Sequence, residues 1–316
     1  MRKVLVTGAD GFAGTRLCAE LAERGFRVTG LGLRAGIAAN SYEYQILDIM
    51  DEDRLNTLIH DVKPELIFHL AAIASTQIAE RSLHHAASLN TLAIVNLMKF
   101  GAEARPGMRV FLMSTGEVYG PNASLDNPHT EKTPIADPCN FYTATKIAQE
   151  YYARILARSL NLPLTIIRPF SMIGPGQNEN FVFGSWGMQL ARICKGQEEP
   201  VIKVGNLEVH RDFTDVRDAV RAFAALTDTD CQPGKYTIYN VCSGNPRLLS
   251  EILDRLIGLS GQKVEIEVDK ARLRTSDYPI FTGSSARINS ACGWEPEFEF
   301  TRTLEDILAF SKQKLG

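Results

Sequence analysis

Val4-Leu5-Val6-Thr7-Gly8-Ala9-Asp10-Gly11-Phe12-Ala13-Gly14 places three glycines at the spacing G-x-x-G-x-x-G directly after a short apolar run. Residues 4–7 read as a strand, and residues 12–24 carry apolar side chains at helical spacing, so the glycines fall in a strand-to-helix turn. Each glycine has a physical task there. Gly8 allows the tight turn, Gly11 lets the backbone approach a pyrophosphate without a Cβ, and Gly14 lets the helix pack against the strand. Phosphate oxygens then meet unpaired N–H groups at the positive end of the helix dipole. Three glycines in isolation describe any glycine-rich turn. Inside a β-α-β alternation they become a dinucleotide signature.

That alternation continues outward. Strand-like runs cover residues 27–33, 42–48, 66–70, 110–114 and 164–168, and helical patterns cover 51–62, 85–103 and 141–159. The strands are short and apolar on both faces, as expected when helices cover both sides of a parallel sheet. The expected fold class is α/β, a Rossmann-type doubly wound parallel sheet over residues 1–170. After Pro169 the character changes: Gly174-Pro175-Gly176-Gln177 is turn chemistry. Residues 171–316 are expected to form a smaller C-terminal α/β substrate lobe, with some segments returning to the sheet.

Composition narrows the functional classes. The 316 residues are 45% hydrophobic and 22% charged, an ordinary globular mixture, with a net charge of −3. A protein that neutralises many phosphates is usually strongly basic, so no nucleic-acid partner is expected. No stretch approaches the ~18 consecutive apolar residues that span a bilayer, so no membrane association is expected. The apolar run at the N-terminus stops at Thr7, too short for a secretory leader. Cys18, Cys139, Cys194, Cys231, Cys242 and Cys292 form no C-x-x-C pair and have no histidine cluster beside them. No metal site is expected, and free thiols point to a reducing cytoplasm.

The end of the second strand bears on the dinucleotide. An NAD site usually ends this strand with a carboxylate for the ribose 2′-hydroxyl. Here the segment reads Thr29-Gly30-Leu31-Gly32-Leu33-Arg34, without an acid and with a cation. Arg34 suits a 2′-phosphate, so NADP(H) is favoured, with NAD(H) possible; a solvated loop arginine is the plain alternative.

Tyr142 and Lys146 lie four apart on the helix at 141–159 and share one face. A free tyrosine has a pKa of ~10. A cation ~4 Å away at an effective dielectric of ~20 supplies about 4 kcal/mol, enough to lower that pKa toward neutrality. Y-x-x-x-K is common by chance, and its place after the fifth strand gives it force. That strand runs into Ser114-Thr115-Gly116-Glu117-Val118-Tyr119-Gly120 at the sheet edge where parallel sheets bind ligands. Thr115 is placed to hydrogen-bond a reacting oxygen. Glu117 reads equally as a general acid/base or as a loop carboxylate making a cap or ion pair.

Together with Leu47-Asp48, His69-Leu70-Ala71-Ala72 and Arg168-Pro169-Phe170, these motifs resemble the extended short-chain dehydrogenase/reductases that act on nucleotide sugars. The resemblance implies a Thr115, Tyr142, Lys146 triad. It implies Asp48 at the adenine amino group, Ala71 and Ala72 along the cofactor, and Tyr142 and Lys146 at the cofactor too, with Lys146 holding the ribose; Phe12, Ile49 and Leu70 complete the expected cofactor set beside Gly8, Gly11, Gly14 and Arg34. Val204-Gly205-Asn206-Leu207-Glu208, the stretch from Arg211 to Asp218, Arg274-Thr275-Ser276-Asp277 and Gly293-Trp294-Glu295-Pro296 are similar to the branch of GDP-mannose 4,6-dehydratases and GDP-6-deoxy-4-keto-mannose reductases. By that resemblance Arg211 and Arg274 hold the nucleotide diphosphate. Ser171 and Met172 depart from it, standing where the family has Asn, often followed by His; Ser171 is kept as a substrate-site candidate.

The resemblance therefore implies an NAD(P)H-dependent reduction of the C4 keto group of a GDP-linked 6-deoxyhexose. A 4,6-dehydratase or 4-epimerase that recycles its cofactor is the alternative, with Glu117 as the extra acid/base. A non-catalytic dinucleotide sensor is a third reading, disfavoured by the intact Thr115, Tyr142, Lys146 set. The family implies a homodimer through helices 85–103 and 141–159. Ala86, Ala87, Leu89, Ala148, Tyr151 and Tyr152 fit either that seam or the protomer's own packing.

Overall fold

The structure, a computed structural model, describes residues 1–35, 41–121, 123–273 and 278–316. The chain opens with β1 (Lys3–Thr7), α1 (Gly14–Glu23), β2 (Arg27–Gly32), β3 (Glu43–Ile46), α2 (Glu52–Val62) and β4 (Leu66–His69). It continues through α3 (Thr76–Arg81), α4 (Leu83–Ala87), α5 (Ala93–Ala104), β5 (Arg109–Met113), α6 (Phe141–Ser159) and β6 (Leu164–Pro169). Then follow β7 (Ser171–Ile173), α7 (Val182–Cys194), β8 (Val201–Val204), β9 (His210–Asp215), α8 (Val216–Ala225) and β10 (Tyr236–Val241). The last elements are β11 (Pro246–Leu248), α9 (Leu249–Ser260), β12 (Glu265–Val268), β13 (Ile280–Phe281), α10 (Ala286–Cys292) and α11 (Phe300–Lys314).

The main sheet has seven parallel strands in the order β10-β6-β5-β4-β1-β2-β3. Side chains of each strand alternate between two cores. Val4, Val6, Phe68 and Phe111 meet Leu17 and Leu21 of α1 and Val220 and Phe223 of α8 on one face. Leu5, Ile67, Val110 and Leu112 meet Leu55 and Ile59 of α2, Leu97 and Met98 of α5 and Ala153 of α6 on the other. This is the doubly wound arrangement, and it explains why the inner strands carry apolar side chains on both faces. Each fully buried aliphatic or phenyl side chain in these two layers contributes ~1.5–3 kcal/mol.

A third core joins α7, α9 and α11 through Trp186, Leu190, Leu253, Leu256, Ile307 and Leu308. Around it lie a small sheet, β11-β9-β13 with β7 on β9, and the pair β12-β8. The halves interleave. β10 pairs with β6 in the main sheet, and α8, Ile288 and Trp294 pack into the first core.

The helix expected over residues 85–103 is present and continuous, with one π-helical turn inside it. α4 ends at Ala87, a π-helical turn spans Ser88–Leu92, and α5 begins at Ala93. The cause is the buried Asn90 side chain. Its amide accepts from Ile73 N–H at 2.8 Å and donates to Ile73 C=O at 3.2 Å and to the Thr145 hydroxyl at 3.0 Å. A side chain that serves a neighbouring loop and helix this way widens its own turn.

Candidate active site

The carboxyl ends of β1, β4, β5 and β6 open on one edge, and each is followed by a loop carrying expected site residues. Gly8 sits at φ +71°, a conformation glycine tolerates, and a Cβ there would lie 2.8 Å from the Ala71 amide nitrogen. The glycine loop and the Leu70–Ala71 segment are therefore in direct contact, joined also by Leu70 N–H to Thr7 C=O at 3.2 Å and Ala71 N–H to the Thr7 hydroxyl at 3.3 Å. A Cβ on Gly14 would sit 1.9 Å from the Gly8 carbonyl oxygen, so the close helix–strand approach demands glycine. Gly11 is exposed, and the Phe12 and Ala13 amides at the start of α1 bond no acceptor among the described residues. Free donors at a helix N-terminus, above a turn with no side chains in the way, fit a dinucleotide pyrophosphate. When bound, such a group supplies or removes a hydride.

Phe12 is half-buried with the Arg16 guanidinium 5.2 Å above its ring. Asp48 is exposed and caps the Met50 amide at 2.9 Å, while Ile49 is buried. Ala71 and Ala72 are half-buried beside the glycine loop. Arg34 is exposed, and its Nε lies 3.5 Å from the carboxylate of Asp10, a residue that spacing alone did not single out.

Asn140 accepts from Thr143 N–H at 2.8 Å and caps α6, which positions Tyr142 and Lys146 one turn apart. Both are buried. Thr115 lies near Tyr142, where its hydroxyl favours the phenolate, and that hydroxyl accepts from the Glu117 amide at 3.2 Å. Glu117 accepts from the Thr143 hydroxyl at 3.2 Å, so it makes a local contact and also faces Tyr142.

The expected lowering of the Tyr142 pKa by Lys146 is not what this site shows. Burial and then the Glu117 carboxylate push the phenol above its ordinary value, and the Thr115 hydroxyl offsets this only in part. Lys146 instead donates to the Met113 carbonyl at 2.5 Å and to Gln149 Oε1 at 2.6 Å. Burial lowers its pKa to about 7, opposed by the charge of Glu150. For both groups desolvation is the largest cause of the shift. The phenol is thus held in its protonated form, and Lys146, one helical turn on, has a pKa near neutrality.

Behind this pair lie groups that sequence reading missed. Glu150 accepts from Ser114 Oγ at 2.6 Å and from Arg168, and His69 pairs with the Thr7 hydroxyl at 2.8 Å. Gln149 and Glu150 stand three and four residues after Lys146. That helical spacing was the available signal.

From the second half of the chain, Ser171 is half-exposed on β7, paired with Phe213 of β9. Arg211, on the same β9, donates to the Tyr278 carbonyl at 2.7 Å and to that of His210 at 2.9 Å. Tyr278 feels the charges of Glu117 and Arg211, and its hydroxyl donates to Cys139 Sγ at 2.6 Å. Arg274 lies outside the described residues.

With this geometry in view, the profile of the NAD dependent epimerase/dehydratase family matches residues 4–242. The chain belongs to that family. Like its relatives it is an NAD(P)-dependent enzyme of the extended short-chain dehydrogenase/reductase type. GDP-6-deoxy-D-mannose reductase of Pseudomonas aeruginosa is 32% identical over 309 residues, covering 98% of this chain and 96% of the relative. UDP-glucose 4-epimerase of Mycolicibacterium smegmatis is 28% identical and covers 99% of both. Among solved structures, RMD from Pseudomonas aeruginosa complexed with NADPH superimposes with a TM-score of 0.86 at 28% identity, covering 99% of this chain and 100% of that one. No helix among the described residues is long and apolar enough to cross a membrane.

Proposed function

We propose that this family member is a reductase that delivers a hydride to the C4 keto group of a GDP-linked 4-keto-6-deoxyhexose. The observation that carries the reading is the placement of Thr115 near Tyr142, with Tyr142 kept protonated by burial. A reductase needs a proton for the oxygen of the ketone it reduces. Tyr142 donates that proton to the forming C4 alkoxide, and Thr115 hydrogen-bonds the same oxygen and orients it. Lys146, with its pKa near 7, returns a proton to the spent phenolate. The glycine loop, Asp48 and the Leu70–Ala72 segment hold the dinucleotide. Arg211 and Arg274 hold the diphosphate, since guanidinium forks match phosphate oxygens. The GDP preference is supported by the likeness to the P. aeruginosa reductase over almost the whole chain.

Glu117 favours a second reading. Its carboxylate faces Tyr142, where a dehydratase or epimerase needs another acid/base. Stoichiometry decides between them: a reductase consumes one equivalent of NADPH per sugar converted, whereas a dehydratase or epimerase leaves the dinucleotide pool unchanged.

We further infer a cytoplasmic homodimer. Tyr151, Tyr152 and Ile155 project from α6 with 51%, 43% and 62% exposure, and Leu83 and Leu92 are half-exposed on the neighbouring helical stretch. This apolar strip suits a helix–helix seam. Ala86 is fully buried within the protomer and is no part of it. Sedimentation at micromolar concentration tests this, with a single species of twice the chain mass expected.

A further inference from the structure

We propose that Asp10, in the glycine loop, does the work of the missing acid at the end of β2, and that with Arg34 it sets the balance between the two nicotinamide dinucleotides. The proposal rests on the dinucleotide reading above. The end of β2 is where a Rossmann site meets the adenosine ribose 2′ group. In this chain the strand supplies no carboxylate, but Asp10 brings one from β1's turn. Its Oδ2 accepts the Leu33 and Arg34 amides, each at 3.0 Å, and lies 3.5 Å from Arg34 Nε.

The local fold is built around this placement. A Cβ on Gly32 would come within 2.5 Å of the Asp10 carboxyl carbon and 2.6 Å of the Tyr44 hydroxyl, so glycine at 32 makes room for both. Tyr44 in turn donates to the Arg34 carbonyl at 2.9 Å and holds the same turn. Asp10 is mostly shielded and Arg34 mostly exposed, with side-chain exposures of 16% and 66%. All the contacts of Asp10 fall on Oδ2; among the described residues Oδ1 carries none.

A carboxylate and a guanidinium side by side at the 2′ position pull in opposite directions. A 2′-hydroxyl donates to Asp10 and leaves the Asp10–Arg34 pair intact. A 2′-phosphate pairs with Arg34 but faces the Asp10 charge. The outcome is a site of mixed preference whose bias each residue shifts in its own direction.

Titration of the purified protein with NADPH and with NADH, followed by the fluorescence of the reduced nicotinamide, tests this without any sugar substrate. Asp10→Asn keeps an oxygen for the two amides and removes the charge. It is expected to raise the NADPH-to-NADH affinity ratio by about tenfold, and Arg34→Ala to lower it by about tenfold. An Asp10→Asn ratio within twofold of the wild type, with binding retained, overturns the proposal alone. Wild-type protein that binds neither dinucleotide overturns it together with the dinucleotide reading.

Discussion

Glu150 and Arg168 meet side-on inside the protein, Nε to Oε1 at 2.8 Å and Nη2 to Oε2 at 2.6 Å, both almost wholly removed from solvent. Burial alone would raise the Glu150 carboxyl pKa, but the Arg168 hydrogen bonds and charge outweigh it and hold it below its ordinary value. Glu150 also takes Ser114 and Arg154, so one carboxylate ties α6 to the ends of β5 and β6. Removing one partner leaves the other charge stranded. Glu150→Gln is expected to cost ~3–5 kcal/mol in denaturant unfolding, and Glu150→Gln with Arg168→Met less than Glu150→Gln alone. An additive double variant would remove the pairing argument.

Tyr142→Phe deletes the proton donor and leaves the glycine loop untouched. A fall in kcat of ~10²–10⁴-fold is expected, with NADPH affinity unchanged. Unaltered turnover in that variant would exclude Tyr142 as the acid.

His69 tests the electrostatics of the floor beneath Lys146. Burial, and then the Lys146 charge, lower its pKa to about 3 from the ordinary 6.5. Below pH 6.5 the unfolded chain binds a proton at this histidine that the folded chain refuses, so stability falls as pH drops. The slope from this one residue is ~1.4 kcal/mol per pH unit, and it continues down to the folded pKa. His69→Asn retains a partner for Thr7 and abolishes the titration. Its unfolding free energy is expected to fall less steeply between pH 6 and pH 5 by that amount. Equal slopes in the two proteins would mean that His69 is charged in the fold.

Gly14→Ala is expected to destabilise the protein by ~1–3 kcal/mol or more, because its methyl would overlap the Gly8 carbonyl. The shift also displaces the start of α1, so dinucleotide binding should weaken with it. Thermal unfolding with and without NADPH measures both effects. A variant as stable as the wild type would contradict the packing role.

The strand-and-helix alternation was legible because inner strands buried on both faces carry short runs of consecutive apolar residues, as Val4–Val6 and Phe111–Leu112 show. Tyr142 and Lys146 were legible because their spacing fixes a shared helix face. Three features were not. The π-helical turn at Asn90 depends on a loop at Ile73 distant in sequence. The carboxylate at the end of β2 comes from Asp10, on a different element. The direction of the Tyr142 shift depends on burial, which spacing does not report. Each is a contact between segments that local pattern cannot join.

Reduction of a GDP-linked 4-keto sugar can be followed directly. The most direct measurement mixes the protein and NADPH with GDP-, UDP-, CDP- and dTDP-linked 4-keto-6-deoxy sugars in turn and follows absorbance of the reduced nicotinamide. Stoichiometric loss is expected with the GDP-linked sugar and far slower loss with the other three; no loss with any of the four would contradict a reductase.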